Sequence, residues 1–211
     1  MEKLCEKLRE DITFGKYKPG EHLSEKQLTE TYGVSRVTIR KAIEQIATQG
    51  YLTVEKNRGA TVTKLSLKDV EVIYNILMRC ESYAAKLFAA RKLTNVNQKL
   101  KLLHEKMHTK ENNFSSHDWL KLNDEFHMLI FSNCGSNILS ELVYHTRQRI
   151  YRYRMFQTEA YARNHYSKDH KKILAAIFKG DEKLTEKLMV AHLDVARKHR
   201  LQLLKGFENL L

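Results

Sequence analysis

The chain has 211 residues, 42% of them hydrophobic, enough for one or two domains with a buried core. A single proline and eight glycines exclude a Pro-rich disordered chain and favour long helices. The formal net charge of +12, from 37 Lys+Arg against 25 Asp+Glu, points to a polyanionic partner without placing it on the chain. Cys5, Cys80 and Cys134 are odd in number and far apart, so they make neither a disulfide framework nor a CxxC motif, and a reducing cytosol is expected. The N-terminus is charged and amphipathic rather than a signal peptide, and no window approaches the ~18 uninterrupted apolar residues of a membrane span. These features predict a cytoplasmic protein with no membrane partner.

Gly15, Gly20, Gly33, Gly50, Gly59 and Pro19 all fall before residue 65, so the first third is cut into short elements. Leu4, Leu8 and Ile12 recur at helical spacing. Lys18-Pro19-Gly20 is a turn, and Ser24 with Gln27 forms a capping box for a short helix with Leu28 inward and a stop before Gly33. Ser35 caps the next helix, whose Ile39, Ile43 and Ile46 form a stripe ending at Gly50. Residues 51–54 and 60–62 flank a Gly-containing polar turn and read as a hairpin.

That order of elements is a winged helix-turn-helix. Its second motif helix enters the DNA major groove, and here the early residues of that helix are Arg36, Val37, Thr38, Arg40 and Lys41. Arginine reads guanine bidentately, and threonine reaches a base edge or a thymine methyl. Lys56 and Arg58 at the hairpin tip are placed for phosphate or minor-groove contact. The bland alternative is a solvated charged face on a small helical domain.

The segments Pro19-Gly20-Glu21-His22-Leu23, Gly33 to Ile43, Gly50-Tyr51-Leu52 and Arg58 to Val62 resemble the GntR family of bacterial transcription regulators. By that resemblance Lys26, Arg36, Thr38 and Arg40 align with DNA-contacting positions and Lys56 with a contacting wing position.

The remainder reads as six helices near 68–92, 95–111, 116–133, 136–158, 161–179 and 182–205. Leu87, Ala90 and Leu93, and Leu184, Leu188 and Ala191, mark apolar faces at helical spacing. The whole is therefore mainly α, with residues 1–64 as the DNA-binding domain, 65–68 as a linker and 69–211 as an all-α six-helix bundle. Histidines are concentrated in the bundle. His127 lies three and four residues after Asp124 and Asn123, so one helix face can carry an oxygen donor beside an imidazole. His170 and His192 flank Asp181 symmetrically, which places both about 16 Å down an antiparallel helix pair at one level. A third histidine from another helix can complete a metal site. The competing reading is that each is an ordinary amphipathic residue. His104 and His108, on a lysine-rich stretch, are read as solvated, and His117, His145, His165 and His199 as bland.

Leu122 to His127 with Gly135-Ser136-Asn137, and His170 to Ile177 with Gly180-Asp181 and His192, resemble the FCD effector domain of the FadR subgroup, in its shorter VanR-like form. The resemblance implies a divalent metal held by Asn123, His127, His170 and His192: zinc first, with nickel or manganese as alternatives. It also implies an effector carboxylate on that metal. The family's aspartate stands here as Asn123, with Asp124 as an alternative oxygen ligand. The arginine that commonly pairs with effector carboxylate is replaced by Leu77, and Arg79 points away. Arg149, among the basic residues of 147–154, is the expected inward-turning effector clamp.

The reading is a metabolite-responsive repressor, binding a palindromic operator on double-stranded DNA as a homodimer, and no enzyme. An effector-free regulator with a non-functional metal site and a three-histidine metalloenzyme are the competitors.

Overall fold

The computed structural model describes residues 1–55, 59–109, 116–151 and 160–206, which fall into two compact units. The first is Met1–Ile73 with the described parts of Arg147–Phe156 and Leu201–Leu211. The second is Tyr74–Thr146 with the described part of Gln157–Arg200.

In the first unit α1 (Glu2–Thr13) buries Cys5, Leu8 and Ile12, α2 (Glu25–Tyr32) buries Leu28, and α3 (Arg36–Thr48) buries Ile39, Ala42, Ile43 and Ile46. The Ser24 hydroxyl accepts from the Gln27 amide at 3.1 Å and that of Ser35 from the Thr38 amide at 3.2 Å. Each satisfies a backbone donor that the first turn of a helix leaves unpaired. Gly33 ends α2 in the left-handed region at φ 65°, where a Cβ is unfavourable.

The hairpin pairs β2 (Leu52–Glu55) with β3 (Gly59–Val62), in a register that sets Leu52 against Val62 and Val54 against Ala60. Beyond the expected two strands, β1 (His22–Leu23) joins the other edge of β3, giving the order β1-β3-β2. Two residues cannot show alternation, so this strand has no sequence signature. Gly59 explains the tightness of the junction. Its φ is +100°, and a Cβ there would collide with the Leu23 carbonyl oxygen.

All these elements share one core that includes Tyr17, Leu23, Tyr51, Leu52, Ala60 and Val62. Tyr151, from a helix far along the chain, packs against it, and the Tyr51 hydroxyl donates to Gln148 Oε1 at 2.6 Å. A buried hydroxyl needs such a partner.

Helix α4 (Leu67–Arg91) starts at a reciprocal box: Ser66 Oγ accepts from the Asp69 amide at 3.1 Å, and Asp69 Oδ2 accepts from the Ser66 amide at 3.0 Å. Leu67 and Lys68 of the expected linker are thus helical. Then follow α5 (Thr94–Thr109), α6 (Ser116–Phe131), α7 (Asn137–Tyr151), α8 (Ala160–Lys179) and α9 (Glu182–Lys205), making six helices after residue 66 among the described residues. The last residues of the expected 95–111 and 136–158 spans lie outside the described ones. No helix among them is long and apolar enough to cross a membrane.

The second core gathers Ala84, Ala85, Phe88, Ala89, Phe126, Ile130, Phe131, Ile173, Ile177, Met189 and Leu193. Two expected faces are displaced by about one residue. Helix α4 buries Ala84, Ala85, Phe88 and Ala89 while Ala90 is exposed, and α9 buries Thr185, Met189, His192 and Leu193 while Leu184 is 40% exposed. Leucines at the flank of a face share the helical period of its centre, and on α4 that centre is set by alanines around Phe88. His104, expected in solvent, is 8% exposed, with its Nε2 3.2 Å from the Ser167 carbonyl oxygen on α8. His145 is exposed, as expected, and His199 is half-buried with Nδ1 3.4 Å from the Tyr166 hydroxyl. The side chains of His108, His117 and His165 lie outside the described residues.

Candidate nucleic-acid interface and metal centre

Because α3 buries Ile39, Ala42, Ile43 and Ile46, its opposite face is turned out. Arg36, Val37, Arg40 and Lys41 are exposed there, Thr38 is half-buried, and Lys26 on α2 is exposed. Val37 is 66% exposed, an apolar group at the helix start where water gives it no favourable partner. The Ser35 and Thr38 hydroxyls lie 2.9 Å apart, so the residue that caps the helix also fixes the Thr38 side chain. Arg40 Nε and Nη2 donate to the two carboxylate oxygens of Glu25 at 2.9 and 3.0 Å. Spacing along the chain does not reveal this partner, which comes from α2, fifteen residues earlier. Lys56 and Arg58 lie outside the described residues.

The second constellation sits in the bundle. Helix α6 supplies His127, α8 supplies His170 and α9 supplies His192, exposed by 2%, 0% and 3%. Their Nε2 atoms converge: His192 Nε2 lies 3.3 Å from His170 Nε2 and 3.3 Å from His127 Nε2. The ligand-capable atoms of all three fall within 4.8 Å of one another. Phe126 stacks on the His170 ring at 4.3 Å and Tyr166 meets His192 edge-on at 5.5 Å, so aromatic walls set the ring orientations. Behind the rings, Glu81 Oε2 is 3.8 Å from His127 Nδ1 and Asp169 Oδ2 is 3.6 Å from His192 Nδ1.

The donor set fits a divalent ion. Zinc–nitrogen distances of about 2.0–2.1 Å at a tetrahedral centre put neighbouring nitrogens about 3.3–3.4 Å apart, which matches the two shortest separations. Carboxylates facing the distal ring nitrogens orient metal-binding imidazoles and raise their basicity. Asn123, one helical turn before His127, has its Oδ1 buried with no hydrogen-bond partner. An acceptor left so forfeits about 1–3 kcal/mol, which a cation would return. Asp124, the next residue, is half-buried. Glu81, fully buried on α4, has no sequence signal that ties it to the site, and Asp169, next to His170 in the chain, faces His192 instead. Leu77 is 2% exposed and Arg79 is exposed.

Arg149 corrects an expectation. It is exposed, whereas Arg147, which belongs with it to the first unit, is 6% exposed, with Nε donating to the Tyr151 hydroxyl at 3.2 Å. The buried face of α7 runs through Val143, Arg147 and Ile150 at i, i+4 and i+7, which turns residue 149 outward.

A capped helix beside a three-stranded wing, followed by a helical domain with a buried histidine cluster, is the architecture of a DNA-binding regulator. The chain belongs to the GntR family of bacterial regulatory proteins: that family's model matches residues 1–62 and the FCD domain matches residues 72–195. The HTH-type regulator YdhC of Bacillus subtilis is 28% identical over 96% of this chain and 92% of its own. The HTH-type transcriptional repressor RspR of Escherichia coli is 26% identical over 88% of this chain and 82% of its own. The solved structure of E. coli McbR/YncC, 19% identical, superposes with a TM-score of 0.84 over 95% of this chain and 96% of that one, a likeness of fold. These domains and relatives are those of transcriptional regulators, and the metalloenzyme reading falls with them.

Proposed function

We propose that this regulator is a cytoplasmic, metabolite-responsive repressor that binds a palindromic operator as a homodimer. Its DNA-binding domain spans 1–64, its connection 65–68 and its effector and dimerisation domain 69–211. The observation that carries the DNA-reading part is the exposed face of α3: Arg36, Val37, Arg40 and Lys41, with Thr38 beside them and Lys26 on α2. Lys56 and Arg58 supply wing contacts in this reading. Two such helices related by a two-fold axis read successive major grooves, hence the palindrome.

In the bundle, His127, His170 and His192 with Asn123 hold the metal; the shielded Asn123 oxygen favours it over Asp124 as the fourth donor. Zinc suits three imidazoles, with nickel and manganese as alternatives. A bound divalent ion would supply a Lewis-acidic position for an anionic oxygen of the effector. Glu81 and Asp169, facing Nδ1 of His127 and His192, favour the tautomer that presents Nε2 to the metal. Leu77 brings no charge, so a carboxylate effector relies on the metal more than on an arginine. Helices α4, α7 and α9 each contribute residues to both compact units and are the covalent routes between effector and DNA-reading residues. The effector acts by favouring one of two arrangements, which requires unequal affinity for them.

The test is binding of the full chain to duplex DNA from its own upstream region. Arg36→Ala and Arg40→Ala should each weaken binding about tenfold or more, in line with loss of a bidentate base contact. Unchanged binding by both variants removes α3 as the reading element.

A further inference from the structure

Arg40 is gripped before DNA arrives. Its Nε donates to Glu25 Oε1 at 2.9 Å and its Nη2 to Glu25 Oε2 at 3.0 Å, a side-on fork between α3 and the first turn of α2. The two side chains are 64% and 25% exposed, so water competes for both and the pair adds little to stability. What it does do is fix a long, rotamer-rich side chain on the face that meets DNA. Docking such a side chain surrenders conformational freedom, and a residue that orders it beforehand lowers that cost at the moment of binding.

We propose that Glu25 is a positioning residue for base reading: it orients Arg40 so that the guanidinium meets a guanine with its end-on edge. The inference rests on the reading of α3 as the recognition helix. A guanidinium carries five N–H donors. Glu25 takes the Nε–H and one Nη2–H, leaving both Nη1 hydrogens and the second Nη2 hydrogen. That remaining edge is complete, and two parallel donors from it match guanine O6 and N7. Glu25 is kept ionised for the task, since the hydrogen-bonded Arg40 guanidinium and the nearby charge of Arg36 hold its carboxyl below the usual carboxylate range.

A plain electrostatic account makes the opposite forecast. A carboxylate on the DNA-facing side repels phosphates, so its neutralisation would strengthen binding to every sequence alike. A positioning role instead predicts a loss confined to one base pair per half-site. The experiment is selection from a duplex library with a randomised core, using the full chain and its Glu25→Gln and Arg40→Ala variants, followed by sequencing of the bound DNA. Circular dichroism and melting confirm that each variant is folded. The wild type should enrich a guanine that Arg40→Ala no longer enriches. Glu25→Gln should lower the preference for that same guanine about tenfold and leave the other positions intact. An unchanged preference in Glu25→Gln, or a change spread evenly over all positions, overturns the inference. Should Arg40→Ala select the same sequences as wild type, the recognition assignment fails and the inference with it, a result visible in the Arg40 arm alone.

Discussion

Asp11 is a carboxylate at 7% exposure, which accepts a hydrogen bond from Lys16 at 2.6 Å and another from the Tyr32 hydroxyl at 2.7 Å, with Lys7 3.3 Å from its other oxygen. Burial pushes its pKa up, but the hydrogen bonds of Lys16 and Tyr32 outweigh that and leave the carboxyl below its ordinary value. A depressed folded-state pKa stabilises the native state above the unfolded value, about 3.9, and the contribution is lost as pH falls through the carboxylate range. Asp11→Asn should therefore be less stable than wild type at pH 7, by about 1–2 kcal/mol. The difference should shrink below about pH 4, as followed by thermal melting across that range. At this scale legibility tracks locality. His170 and His192 can be paired from sequence because a tight turn between two helices makes depth countable. The burial of His104, the Glu81 carboxylate behind His127 and the Glu25 grip on Arg40 are set by other helices, and no spacing rule reaches across the chain.

Among the elements, Gly33 and Gly59 differ in a way that mutation can read. Gly33 has φ +65° and open space, with no atom within 4 Å of where a Cβ would stand, so Gly33→Ala meets only backbone strain, about 1–2 kcal/mol. Gly59 has φ +100° and the Leu23 carbonyl in the way, so Gly59→Ala must also break the β1–β3 approach. Urea unfolding should show Gly59→Ala as clearly the more destabilised of the two, and equal losses would mean that β1 gives way freely. The helices of this chain are readable because caps such as Ser24, Ser35 and Ser66 and breaks such as Gly135 and Gly180 bracket them. Their inward faces are less so: α4 and α9 turn alanine, threonine and histidine to the core, residues that a count of leucines overlooks. On α7 the inward face likewise turns through Arg147, leaving Arg149 exposed.

For the molecule as a whole, the net charge carries less than it first suggests. Residues 1–64 hold 12 basic and 9 acidic residues, so nine of the twelve excess positive charges lie beyond them. The DNA reading proposed for α3 therefore rests on placed side chains and not on the total. The bundle is tested separately by its metal. Zinc, nickel or manganese added to chelator-treated protein should raise the melting temperature, because a ligand of the native state stabilises it by mass action. His170→Ala and His192→Ala should abolish that rise, and metal analysis of the purified protein should find the ion in wild type alone. A wild type that neither carries metal nor responds to any of the three leaves the effector-free regulator as the surviving account.

The buried hydroxyl of Tyr51 has a consequence for how the protein is made. Its acceptor, Gln148, lies 97 residues further on, and Tyr151 packs against the same core. When the ribosome has finished the wing, the DNA-binding core is still short of two of its side chains, and it must wait for half of the bundle to be synthesised before this hydrogen bond can close. The part of the chain that reads DNA is thus translated first and completed late.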